Sequence, residues 1–348
     1  VTSGSTRDLA DLSAGALRRL KRLARTARAG AEGIASRFDR SPPAPLFIHF
    51  GAHKTGSSSI QDTLYQNNGR TFGYDYPDLG MANGSLALGT AFSDEASMVA
   101  RRLLPSLEIA RQRKEADRAR LAALLAAAPR KLPKVLSGEG IAHFKPEELA
   151  ALDQFVSQYW PDRIYLGYVR EPVSFLRSAY QETLKRANPA AHLIDPAAPL
   201  SALTAPGHAL VDRLDALVGR ERVRVFAFDA EGFPGGDVVR HFLRQIGARE
   251  EGIALQRTNE GLTLLAVKLL YLYRTRTAPH DLDVGSPRTR KGFVQAIADL
   301  GAARFELHPE VVARIVQANQ PFYDWSERRL DLPIRPPVLR HEDGVAGP

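Results

Sequence analysis

The chain has 348 residues, 44% hydrophobic and 25% charged, the composition of a folded globular protein rather than a disordered or fibrous one. It contains no cysteine, which excludes disulfide scaffolds, thiolate metal sites and cysteine nucleophiles. The formal net charge is +8, which favours an anionic partner such as nucleic acid, anionic lipid or a phosphorylated small molecule. No apolar run approaches the ~20 residues that span a bilayer. The start of the chain lacks the apolar segment of a secretory signal, so a cytoplasmic location is expected.

Residues 1–45 read as a basic extension followed by a Pro-rich linker. From 13 to 31 the charges are Arg18, Arg19, Lys21, Arg22, Arg25 and Arg28, with no acid among them. Leu9, Leu12, Leu17, Leu20 and Leu23 form a rough helical stripe beside this charge. Residues 8–30 therefore suit a helix lying on the inner face of a membrane, although a solvated tail is the plainer reading because no Trp or Phe anchors the stripe. SPPAP (41–45) is a stiff, non-helical linker.

From residue 46 strands and helices alternate. Strands are expected at 46–50, 135–137, 163–169 and 222–228. Helices are expected at 58–67, 96–128 with a break near Pro105, 146–159, 172–186, 208–218 and 236–246. Residues 69–95 and 188–205 read as loop. The C-terminal part reads as helical, at 261–275, 290–300 and 309–328. One α/β domain over 46–332 follows, with a parallel sheet flanked by helices, opening with a P-loop-like unit and ending in an irregular tail, 333–348. Ligands of such sheets lie beyond the C-terminal strand ends, so 51–58, 138–143, 170–178 and 229–233 should converge on one crevice.

The first of these loops reads GAHKTGSSS (51–59). Its two glycines, Gly51 and Gly56, have the separation of a nucleotide-triphosphatase loop, but Ser57 stands where that loop carries lysine. The loop's lysine is Lys54. Glycines permit a backbone nest for an anion, a helix N-terminus adds its positive end, and Ser57, Ser58 and Ser59 add hydroxyl donors. No strand ends in a clear metal-binding aspartate, so an ATP–magnesium site is disfavoured. The second segment is GYVREPVSFLRSAYQETLKR (167–186), where a strand ends at Arg170 and Pro172 opens a helix. Ser174 and Ser178 share one helical face, and Arg170 with Ser178 offers a fork and a hydroxyl to one phosphate monoester.

Together the two segments resemble the sulfotransferase superfamily. HKTGSSS is similar to that family's 5′-phosphosulfate loop, P-K-[TS]-G-[TS]-[TS], and REPVSFLRSAY to its 3′-phosphate motif, an arginine followed eight positions later by a serine. The resemblance covers roughly 46–330 and is nearest to bacterial, carbohydrate-directed members. His53 stands in place of the usual proline, and Ser57 and Ser58 in place of threonines. The resemblance implies 3′-phosphoadenosine 5′-phosphosulfate (PAPS) as cofactor, no metal, and sulfuryl transfer to a hydroxyl of a bacterial polysaccharide or glycolipid. It gives Lys54 the leaving-group contact, assigns the 5′-phosphate to the loop around His53, Thr55, Gly56, Ser57, Ser58 and Ser59, and assigns the 3′-phosphate to Arg170 and Ser178.

A base for the acceptor hydroxyl is sought in VLSGEGIAHF (135–144), where Glu139 is the first candidate and His143 the second. His49 reads as structural. The basic loop 286–293 and residues 257–260 read as a solvated charge run and a helix cap. The rivals are a kinase-like phosphoryl transferase and a non-catalytic protein of the membrane surface. Aromatic residues are only 8% and no recognition motif is visible, so nucleic acid is not expected as a partner.

Overall fold

The computed structural model describes residues 44–51, 54–67, 69–100, 103–127, 131–185, 195, 197–206, 208–229, 231–256, 261–276, 292, 294, 296–298 and 300–337. The basic extension, His53, the helix expected at 290–300 for the most part, residues 257–260 and the tail from 338 lie outside the described residues.

Four strands form a parallel sheet: β1 (Leu46–His49), β2 (Lys134–Ser137), β3 (Arg163–Val169) and β4 (Val223–Ala227), in the order β2-β1-β3-β4. β1 pairs with β2 from Leu46 opposite Lys134 to His49 opposite Ser137. β3 pairs with β4 from Tyr165 opposite Val223 to Val169 opposite Ala227. All four residues of β1 and of β2 are buried, and six of the seven in β3, as expected of parallel strands covered on both faces. Among the described residues the longer helices are α1 (Ser57–Gln66), α2 (Ser85–Phe92), α3 (Leu107–Ala126), α4 (Pro146–Ser157), α5 (Pro172–Lys185), α6 (Ala209–Val218), α7 (Val238–Gln245), α8 (Leu264–Arg276), α9 (Pro309–Ala318) and α10 (Gln320–Arg329), with short helical turns at Gly69–Phe72 and Glu95–Ala100.

Two compact units divide the chain. The first comprises the chain up to His49, Leu64–Ile164 and Leu243–Ile253; the second comprises Phe50–Thr63, Tyr165–Phe242 and the chain from Ala254 on.

In the first unit α2 packs on α3 and α4. The loop expected over 69–95 is corrected here, because 85–92 is helical. Its glycine and small residues mask a buried face made of Ala87, Leu88, Ala91 and Phe92. The buried Thr90 hydroxyl donates to Asp117 of α3, and the Arg118 guanidinium sits 5.4 Å from the Phe92 ring centre. The buried Lys134 of β2 pairs with Asp75, which supplies the counter-charge that a buried ammonium requires. Glu148 accepts the Lys145 amide at 2.8 Å and so caps α4.

In the second unit α5 is the central helix. Val173, Leu176, Tyr180 and Leu184 pack with Leu262, Ala266, Val267 and Leu270 around α8 and with Val311 and Ile315 of α9. The single helix expected at 309–328 is two, meeting at Asn319. That side chain is buried: its amide donates to Leu203 and Ile315 carbonyls, and its oxygen accepts the Ala205 amide at 2.8 Å. A residue so committed to other backbone groups ends one helix and starts the next. Gly167 in β3 leaves room for the Phe50 ring; a Cβ there would overlap it.

Candidate functional site

Within the second unit the glycine loop and the end of β3 are tied together. Lys54 has φ of 66°, the one positive φ outside glycine among the described residues, and Gly56 has φ of 74°. A left-handed lysine costs on the order of 1 kcal/mol and needs surrounding structure to hold it. The tie is Arg170, whose Nη1 donates to the Lys54 carbonyl at 2.7 Å. Gly56 also admits no side chain, since a Cβ would stand 2.6 Å from Val238 Cγ1. Beyond it α1 begins at Ser57, and the Ile60 amide donates to the Gly56 carbonyl at 3.1 Å. The amides of Ser57, Ser58 and Ser59 precede the first intrahelical bond, so they form the donor-rich end of α1. Thr55 is fully buried, its Oγ1 lying 3.4 Å from Ser57 Oγ.

Arg170 is held on three sides. Besides the Lys54 carbonyl, its Nε donates to Ser174 Oγ at 3.3 Å, and its guanidinium carbon lies 5.2 Å from the centre of the Phe228 ring. Burial pulls its pKa down to about 10, with Arg177 adding to the effect and Glu171 opposing it, so the group is charged at neutral pH. The Glu171 carboxylate is engaged elsewhere: it accepts the Val173 and Ser174 amides at 2.8 and 2.7 Å and the Tyr323 hydroxyl at 2.7 Å. This caps α5 and pushes the Tyr323 pKa up, through burial first and the carboxylate second. The direct partner of Arg170 on α5 is therefore Ser174. Ser178 is half-buried one turn further along the same face. One turn beyond that, Glu182 Oε2 lies 3.2 Å from the Lys54 ammonium.

The end of β2, in the first unit, has a different character. Glu139–His143 is a 3-10 turn after Gly138. The Gly138 amide donates to the His49 carbonyl at 3.1 Å, and the Gly140 amide to Ser85 Oγ at 2.9 Å. Glu139 is half-buried and His143 exposed. The buried His49 places Nδ1 2.8 Å from Ser137 Oγ, and burial lowers its pKa to about 3, so it is a neutral structural side chain. Of the four loops expected to converge, 51–58, 170–178 and 229–233 belong to the second unit and 138–143 to the first. At the β4 end Phe228 packs against Arg170, while the Asp229 carboxylate accepts its own loop's Glu231 amide at 3.0 Å. Among the described residues no cluster of His, Asp and Glu could hold a metal ion.

Phe228 and Glu182 are the site's neighbours that the motifs do not contain. The spacing 174, 178, 182 places Glu182 on the face of Ser174 and Ser178 but does not mark it as a partner of Lys54. Phe228 left no such signal, as an aromatic ending an apolar strand reads as core.

No family model and no curated protein matches the chain. Solved structures do. A sulfotransferase from Alicyclobacillus acidocaldarius is 17% identical with a TM-score of 0.36, over 78% of this chain and 94% of that one. The sulfotransferase domain of the Synechococcus PCC 7002 olefin synthase is 15% identical with a TM-score of 0.34, over 80% and 96%. The sulfotransferase domain from the curacin biosynthetic pathway is 15% identical with a TM-score of 0.35, over 81% and 99%. At this distance the chemistry has to be read from the chain's own residues.

Proposed function

We propose that the chain is a sulfotransferase that moves a sulfuryl group from PAPS to a hydroxyl of a carbohydrate acceptor, in a polysaccharide or glycolipid. The observation that carries this is the Arg170 tie. One half-buried guanidinium, backed by Phe228, fixes the carbonyl of the loop's left-handed lysine and so links the two motif segments. The donor set fits the cofactor. The α1 end with Ser57, Ser58 and Ser59 suits its 5′-phosphate, and Arg170 with Ser178 suits its 3′-phosphate. Gly56 fits as well, because its place against Val238 excludes any side chain from the loop.

Bound there, the cofactor supplies an activated sulfuryl group and a bisphosphate leaving group. The chain's own contribution is electrostatic. The first amides of α1 are donors fixed before reaction, the Lys54 ammonium swings to join them from a fixed backbone, and such donors stabilise charge that develops in a transition state. Arg170 keeps the lysine's backbone in register while only the side chain moves. Glu139 is the candidate to take the acceptor's proton and His143 its alternate. Neither role needs a metal ligand from the chain.

Titration calorimetry of the full chain with adenosine 3′,5′-bisphosphate in EDTA tests the reading. Binding without magnesium is expected. Magnesium-dependent ATP binding in its place would make the chain a phosphoryl transferase. Transfer of labelled sulfate to a panel of glycans and lipids then identifies the acceptor, with label on a sugar hydroxyl as the expected outcome.

A further inference from the structure

Ser174, Ser178 and Glu182 lie four residues apart on α5, so they share one helical face. Arg170 stands at the start of that face and Lys185 near its end. Both cations are pushed below their ordinary pKa, first by burial. For Lys185, Glu182 opposes the shift and Lys54 adds to it, so the three side chains sense one another. A carboxylate here is unexpected in a surface otherwise arranged for anions. The pair with Lys54 adds little stability, because both of its partners are 23% exposed. Pairs of that kind contribute about 0–1 kcal/mol.

The Lys54 backbone is strapped by Arg170, so its ammonium changes partners only by rotation of the side chain. We propose that Glu182 is a positioning residue for Lys54. Its carboxylate competes with an anion in the glycine loop for that one ammonium, and so sets which anions the loop accepts. The role within sulfuryl transfer rests on the function proposed above. A simple anion must displace Glu182 using loop contacts alone. A nucleotide with a second phosphate on Arg170 and Ser178 has further contacts with which to do so. Glu182 thereby selects against free sulfate and phosphate.

The test uses the full chain and two readouts that need no turnover. The first is the rate at which Lys54 is acetylated by an amine-reactive ester, followed by peptide mass spectrometry. Contact with the Glu182 carboxylate shields the Lys54 amine from the reagent, so Glu182→Gln should label about 3- to 10-fold faster than wild type. The second is the concentration of inorganic sulfate that half-protects Lys54, which should fall by a similar factor, about 3- to 10-fold, in the same variant. Glu182→Asp keeps the charge with a shorter reach and should fall between the two, which also covers a Glu182→Gln chain that fails to fold. An unchanged labelling rate, or sulfate protection that is absent or insensitive to residue 182, would overturn the proposal. If adenosine 3′,5′-bisphosphate fails to bind while the labelling and sulfate effects appear, the sulfotransferase reading falls and the Glu182–Lys54 competition stands.

Discussion

The ends of β2 and β3 are built in opposite ways. At the end of β3 the ionisable group is fastened: Arg170 is half-buried, charged and held by the Lys54 carbonyl, Ser174 and the Phe228 ring. At the end of β2 the inside is neutral. His49 and Ser137 form a buried pair, and the ionisable Glu139 and His143 lie half-buried and exposed on a short 3-10 turn. A cation fixed by several partners is preorganised for an anion. On the function proposed, the nucleotide would meet an arginine already fastened by three partners, and the acceptor would meet groups carried on a short turn.

The largest effect should come from the firmly built side. Lys54→Ala should lower turnover by about 10²- to 10³-fold, the scale of losing one fixed donor at developing charge, with a smaller loss of bisphosphate affinity. Steady-state rates beside titration calorimetry separate the two. Unchanged turnover would remove Lys54 from the chemistry.

On the other side, Glu139→Gln should lower turnover by about 10²-fold and leave bisphosphate affinity unchanged. His143→Gln made in parallel decides between the two candidates. Whichever variant loses turnover identifies the base, and activity retained in both would place the base outside the β2 turn.

Next in size is Arg170→Ala. It should weaken adenosine 3′,5′-bisphosphate by about 1.5–3 kcal/mol, the range for a lost charge-assisted bond. Because Arg170 also holds the Lys54 carbonyl, the variant should lose turnover beyond what saturation with cofactor restores. Full recovery at saturation would show that the strap does not matter.

The sequence exposed the parallel sheet well, since buried strands such as RIYLGYV are apolar runs bounded by turn residues, and Arg163–Val169 stands where it was expected. It exposed less where burial is shared among small residues. Ser85–Phe92 hid as loop because alanine, glycine and threonine carry little apolar signal until α3 covers them. At the candidate site, Lys54, Gly56 and Arg170 stand out in the sequence because two short segments carry them at fixed spacing, and the structure ties those segments together. The bond between Arg170 and the Lys54 carbonyl does not, because a backbone acceptor leaves no mark on residue identity. The pairing of Lys54 with Glu182 was hidden for a different reason: it joins residues far apart in the chain, and a glutamate on a helix face reads as solvated.

The smallest expected effect concerns the neutral side. His49 has its pKa lowered by burial from 6.5 to about 3. Between those two values the unfolded chain binds a proton that the folded chain does not, so stability rises with pH there and is lost as pH falls from 6.5 toward 3. The slope for one such group approaches 1.4 kcal/mol per pH unit, so about 1 kcal/mol should be lost by pH 5.5. His49→Gln keeps a partner for Ser137 without the titration and should flatten that part of the profile. Urea midpoints of the two proteins at pH 7.5 and 5.5 measure the difference. Carboxylates titrate below this window in both proteins, so they cancel. Equal slopes would mean that His49 takes up its proton inside the folded protein, and the end of β2 would then carry a charge as the end of β3 does.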